Sequence, residues 1–412
     1  MSHSTHTLLE RFLRYVRIDT QADERSTTYP STPGQLVLSR MLKEELAALG
    51  FADARMTDFG IVHATIPGNV PGAPTIAFNS HVDTSPETSG KDVKPQILRN
   101  YAGGDIRLPG DPTKVIRVSE NPTLDELHGK TIITTDGTTL LGADDKAGVA
   151  VIMEMARILS ENPTIPHGPV KVVFTCDEEI GKGVLHLEPS DIGAVAAYTL
   201  DGAGTAEVEA ETFSADKATV TIHGVNIHPS VGKGRMVNAI RLAGNFLDRM
   251  PKRVLSPETT EGREGFLHPY TIEGGVAEVK IHILLRDFET AALAEQAEML
   301  RVIGQQIERE YPAAKVDVDV KPQYRNMRDG MEREPRAVPY ALEAVKRAGM
   351  TPKQTIIRGG TDGSQLTAKG LPTPNLSTGE HNPHSPLEWT CLEEMDAAVR
   401  VLVELVQVWA GK

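Results

Sequence analysis

The sequence predicts an α/β fold: a larger domain with a mixed, mainly parallel sheet between helices, interrupted by a smaller inserted α+β domain of βαββαβ order. Three observations carry this expectation. Residues 75–78, 170–175 and 194–200 are short, nearly continuous apolar runs, the pattern of parallel strands buried on both faces. After Glu211 the pattern turns to alternation mixed with helical periodicity, and after Tyr324 the α/β pattern resumes. At 412 residues the chain also exceeds what one ordinary core sustains. The larger domain is therefore expected over 1–211 and 323–412, and the insertion over 212–322.

Taken in order, residues 8–16 and 36–49 show the i, i+3, i+4 spacing of amphipathic helices, the second closed by Gly50. Residues 85–131 are rich in Pro, Gly and Asp without clear periodicity and read as loops and short hairpins. Residues 138–148 form a loop feeding a helix over 149–159. In the insertion, residues 218–223, 276–285 and 315–320 alternate, and 235–250 and 293–310 are helical. A helix near 339–348, a glycine turn at 359–363 and a final helix over 392–409 complete the larger domain.

A formal charge of −13 argues against nucleic acid, which requires a basic face to displace counterions. No stretch reaches the roughly 20 apolar residues of a membrane span. Residues 1–6 lack the basic flank and apolar core of a signal peptide, so a cytoplasmic location is expected. Only Cys176 and Cys391 occur, too few for a disulfide framework, and Cys176 reads as a small buried hydrophobe.

The three apolar runs lead into His81 and Asp83, Glu178 and Glu179, and Asp201. In open α/β sheets the loops at the carboxyl ends of the strands meet in one crevice, so these residues can cluster despite their separation. Each has an ordinary alternative. His-x-Asp is a common triplet in a chain with 13 histidines, Asp144-Asp145 suits a helix N-cap, and Asp201-Gly202 suits a turn. Adjacent carboxylates after a buried strand, however, sit awkwardly without a cation. With His384 the set supplies mixed N and O donors suited to zinc or a similar divalent ion. Asp83 can accept the ring N–H of a ligating His81.

These residues carry a resemblance. The order His81-x-Asp83, Gly142-Ala143-Asp144-Asp145-Lys146, Asp177-Glu178-Glu179, Asp201-Gly202 and His384 resembles the co-catalytic metallopeptidases, which include carboxypeptidase G, aminoacylases and bacterial di- and tripeptidases. Residues 80–86, 132–137, 140–148, 234–239 and 358–363 are most similar to the peptidase T family of tripeptide aminopeptidases. The likeness runs from end to end. One departure is Glu380-His381-Asn382-Pro383-His384-Ser385, where the family often has an aromatic-rich turn, so that His381 competes with His384; the resemblance favours His384, whose spacing to Glu388 matches the family's His-x-x-x-Glu.

The resemblance implies a zinc-peptidase catalytic domain with an inserted lid domain, and two divalent ions per chain, zinc first with cobalt or manganese as alternatives. Asp144 would bridge them, His81 and Asp201 completing one site and Glu179 and His384 the other. Glu178 would be the general base for the attacking water, and Asp83, the other catalytic residue expected, would act by orienting His81. A cis peptide between Asp144 and Asp145 is also implied. His228 would reach the substrate carbonyl, and Asn238, Arg286 and Arg358 would hold the peptide backbone and its carboxylate. The expected partners are a small peptide substrate and, through the insertion, a second copy of the chain. A related amidohydrolase would keep the ligands and change the pocket; a non-catalytic binding protein would be expected to lose some of them.

Overall fold

The computed structural model describes residues 3–411; Met1, Ser2 and Lys412 lie outside the described residues. It divides the chain into two compact units. The larger takes the chain up to Ala210, Met327–Ile356 and everything from Thr361 onward, and the smaller takes Glu211–Asn326 with Ile357–Gly360. The segment carrying Arg358 thus goes with the smaller unit, whereas the sequence placed it in the larger domain. The reason is local bonding: the Arg358 guanidinium donates to the carbonyls of Thr260, Gly262 and Glu264, and the Phe213 N–H donates to Ile357 O at 3.2 Å.

The larger unit is built on an eleven-stranded mixed sheet. At its centre Val170–Thr175, Ile76–His81, Ala196–Ala203 and Asn375–His381 run parallel. Antiparallel strands extend it, with Val62–Ile66 and Arg55–Met56 on one flank and Trp389–Cys391, Ile132–Thr134 and Gln96–Leu98 on the other. Ile76 and Phe78 join the main core with Leu8, Phe12, Leu42, Ile152 and Leu402, while Ala77 and Val173 face a second cluster containing Val184, Leu187 and Leu366. Because both faces are covered, alternate residues cannot be polar, which explains the continuous apolar runs. Each large side chain buried this way contributes about 1.5–3 kcal/mol.

Register then positions the chemistry. His81 pairs with Thr175 at the last rung of their ladder, and Asn79 pairs with Thr199, so the parallel strands end at one edge of the sheet. The residues just beyond those rungs are those the sequence singled out.

The smaller unit is a four-stranded antiparallel sheet in the order Phe266–Gly274, Glu278–Asp287, Ser214–His223, Lys315–Tyr324. The helices Ala239–Arg249 and Thr290–Glu310 bury Leu242, Phe246, Leu300 and Ile307 against Val220, Ile222, Ile281 and Ile283. This is the βαββαβ order. The first helix starts at Ala239, not Arg235, because the Asn238 side chain caps it by accepting the Ile240 N–H at 2.9 Å. No helix among the described residues is long and apolar enough to cross a membrane.

Candidate metal centre

Two groups of side chains that could hold a metal ion lie at the sheet edge and share one member: His81, Asp144 and Asp201 form one, and Asp144, Glu179 and His384 the other, each with ligand atoms within 4.8 Å of one another. His81 Nε2 stands 3.1 Å from Asp144 Oδ1 and 3.7 Å from Asp201 Oδ1. His384 Nε2 stands 3.2 Å from Asp144 Oδ2 and 2.9 Å from Glu179 Oε2. Glu178 Oε2 lies 4.0 Å from His81 Nε2, and Glu178 belongs to neither group. The five side chains expected as ligands are therefore brought together from residues 81 to 384.

Local structure explains how. Asp83, fully buried, lies behind His81, its Oδ1 3.4 Å from the ring Nδ1, which leaves Nε2 facing the group. The same carboxylate accepts the backbone N–H groups of Glu178 and Glu179, each at 3.1 Å, and so ties the acidic pair to the His81 strand. The turn is entered through Asp177, held in the left-handed region at φ 60°. Its carboxylate accepts from Ser31 and from Gln35, and its own N–H donates to Gln35 Oε1 at 3.0 Å. The peptide between Asp144 and Asp145 is cis. Asp145 is tied to the His81 strand, its carboxylate accepting from the Ser80 hydroxyl and the His81 N–H, and it also lies with Asp201 and Glu380.

The electrostatics are those of a site crowded with like charge. Burial raises the pKa of Glu178 well above the usual range, only partly offset by His81, and raises that of Glu179 to about 8. Burial alone would raise Asp144 too, but His384 and His81 outweigh it and hold its carboxyl below the usual range. The imidazoles show the converse: burial disfavours their charge, yet Asp144 and Asp201 lift His81 well above its ordinary value, and Asp144 and Glu179 lift His384 to about 12. Cations beside these carboxylates would supply the same compensation without a proton. Asp144 Oδ1 and Glu179 Oε1 are buried and accept no hydrogen bond, which leaves them available to a cation. The donor set therefore fits divalent metal.

His381 lies elsewhere: its Nε2 pairs with Glu394 at 2.7 Å and its ring stacks on Trp389 at 3.7 Å. His228, Asn238, Arg286 and Arg358 all belong to the smaller unit. His228 is exposed and its Nδ1 accepts the Ser230 N–H at 3.3 Å, while Asn238 is the helix cap already described. Arg286 donates to Asp216 O and Leu285 O and lies over the Tyr324 ring, and Arg358 lies over Phe213 and Phe266. Sequence reasoning assigned no role to three buried acids beside the site. Glu388 reaches the loop before Asp144; Asp362 accepts from the Thr175 hydroxyl; Glu380 lies with Asp145 and Asp201 in a third acidic group. Only their place in quoted motifs marked them.

Comparison with known proteins places this geometry. Residues 135–408 match the family model described as Peptidase family M20/M25/M40. The chain is 44% identical over 406 residues to "Peptidase T" of Caldanaerobacter subterraneus subsp. tengcongensis, covering 98% of this chain and 99% of that one. Among solved structures, a tripeptidase from Staphylococcus aureus superposes with a TM-score of 0.78 at 24% identity, covering 99% of each chain. A Bacillus subtilis protein described as a dinuclear metal binding peptidase from the M20 family superposes at 0.64 with 16% identity, again covering 99% of each chain. The chain therefore belongs to peptidase family M20/M25/M40 and, within it, to the peptidase T family.

Proposed function

We propose that this chain is a two-metal aminopeptidase that releases the N-terminal residue from tripeptides. The observation that carries the proposal is the pair of ligand groups sharing Asp144, with an unshared carboxylate, Glu178, beside them. Kinship with the peptidase T relatives supports the tripeptide substrate, and the Bacillus subtilis neighbour supports two ions.

In this reading His81 and Asp201 would hold one ion, Glu179 and His384 the other, and Asp144 would serve both. When bound, such ions lower the pKa of water and polarise the scissile carbonyl. Zinc suits these donors, with cobalt or manganese as substitutes. Glu178 takes a proton from the attacking water and returns it to the leaving amine. Asp83 touches no reacting atom and acts as a positioning residue through His81 and the Glu178–Glu179 backbone. Asp83→Asn is expected to weaken metal affinity about 10–100-fold, read by competition with a chromogenic chelator.

In the tautomer in which His228 Nδ1 accepts the Ser230 N–H, its Nε2–H is a donor suited to a carbonyl oxygen. By resemblance to the peptidase T relatives, Asn238, Arg286 and Arg358 are the candidates for holding the peptide backbone and its carboxylate. Both cysteines are free, which suits action in the cytoplasm. Self-association of the smaller unit is supported by its edge strand, where Tyr270 and Ile272 are 42% and 54% exposed.

The test is product analysis of a tripeptide panel with free, N-acetylated and C-amidated ends. One free amino acid from the N-terminus plus a dipeptide is expected, with strong impairment by either block. Release of the C-terminal residue, indifference to both blocks, or preference for N-acetyl amino acids would overturn it in favour of a carboxypeptidase or acylase.

A further inference from the structure

The helix Ala143–Glu161 begins without a cap of its own. Gly142 occupies the N-cap position at φ 80° and has no side chain to accept from the first turn, and Asp144 and Asp145 depart from helical geometry. The first N–H groups of any helix need acceptors, and an aspartate nearby ordinarily supplies one. Here the acceptor comes from 244 residues away. Glu388, 1% exposed, accepts the N–H of Leu141 at 2.6 Å and of Gly142 at 2.8 Å on Oε2, and that of Asp144 at 3.1 Å on Oε1.

We propose that Glu388 is a positioning residue for the bridging aspartate: by capping the loop 141–144 from outside, it releases the Asp144 carboxylate from capping and aims it at both ligand groups. The three backbone N–H groups donate to a carboxylate, and such charge-assisted hydrogen bonds are stronger than neutral ones. Glu388 also ties the two ends of one group together. It follows His384 by four residues, its own N–H donates to Ser385 O at 3.1 Å, and the His384 carbonyl is held by the Thr88 hydroxyl at 2.6 Å. Next to it, Trp389–Cys391 pairs with Ile132–Thr134 and so anchors the segment in the sheet. One side chain thereby sets the spacing between the Asp144 backbone and the His384 loop.

This inference rests on the two-metal reading, and its test separates the two. Glu388→Gln keeps the size and one oxygen but presents an NH₂ group where an acceptor is needed, so one part of the three-donor set loses its partner. Glu388→Asp keeps the charge and shortens the reach. Zinc affinity is measured on the metal-stripped chains by chelator competition, with the visible spectrum of the cobalt-loaded forms as a second readout. Wild type is expected to bind two ions; Glu388→Gln is expected to bind at least one about 10–100-fold more weakly, with an altered cobalt spectrum and reduced kcat at little change in KM. Glu388→Asp should recover part of the affinity. Unchanged zinc affinity and cobalt spectrum in folded Glu388→Gln would overturn the role of Glu388 and leave the two-metal reading standing. Wild type that binds no zinc would overturn both. If Glu388→Gln fails to fold, the comparison is made on Glu388→Asp, where unchanged affinity and spectrum likewise overturn the role.

Discussion

Glu178→Gln is expected to retain its metal and lose about 10²–10⁴-fold in kcat, the usual contribution of a positioned general base. The geometry separates it from its neighbour. Glu179 meets His384 at 2.9 Å and its side chain is 4% exposed, whereas Glu178 belongs to neither ligand group and its side chain is 12% exposed. Asp83 anchors both backbones, so the substitution leaves the turn in place. The amide cannot accept the proton of the attacking water, and KM should change little because substrate contacts are untouched. Glu179→Gln should show the reverse order of effects, losing metal affinity first. Steady-state kinetics paired with metal analysis of both variants checks the division, and an active Glu178→Gln beside a metal-replete but inactive Glu179→Gln would reverse the assignment.

Asp144→Asn should have the largest effect on the site as a whole, because Asp144 is the one residue common to both groups. Its two oxygens face different histidines, Oδ1 toward His81 at 3.1 Å and Oδ2 toward His384 at 3.2 Å. An asparagine offers one oxygen and one NH₂ group, so it can serve one side only. The remaining acids, Glu178, Glu179 and Asp201, would face one another with less compensating charge. Metal content is expected to fall to one ion per chain or fewer and activity to fall beyond the reach of added zinc. The fold should persist, since the core cluster around Val149, Ile152 and Met155 is untouched. Circular dichroism with elemental analysis distinguishes loss of metal from loss of structure.

The elements that sequence patterning found are those buried on both faces or split cleanly between an apolar and a polar face. Residues 76–81 and 170–175 stand out because every position along them is buried except the half-buried Lys171. The strand Asn375–His381 is buried to a similar degree yet was not singled out, because Asn375, Ser377, Thr378 and Glu380 are polar and hydropathy gives no sign of it. The strand Phe266–Gly274 was missed for the opposite reason: it lies at the sheet edge, its residues from Tyr270 onward are exposed, and Pro269 and Gly274 break the alternation. At the site, strand ends pointed to one crevice, and the resemblance to the metallopeptidases picked out His81, Asp144, Glu179, Asp201 and His384, which the structure brings together. The carboxylates that hold them in place, Glu388 above all, act through tertiary hydrogen bonds to backbone groups, which leave no periodicity and no local spacing to read. His381 and His384 could be ranked from sequence only by their spacing to Glu388; the structure separates them, since His381 is paired with Glu394.

Zinc titration of the chelator-stripped chain, followed by elemental analysis and tripeptide hydrolysis on the same samples, tests the two-metal centre at its root. Activity should be absent without metal, should return as zinc is added, and should be complete at two ions per chain. Full tripeptide hydrolysis by a preparation free of metal would contradict it.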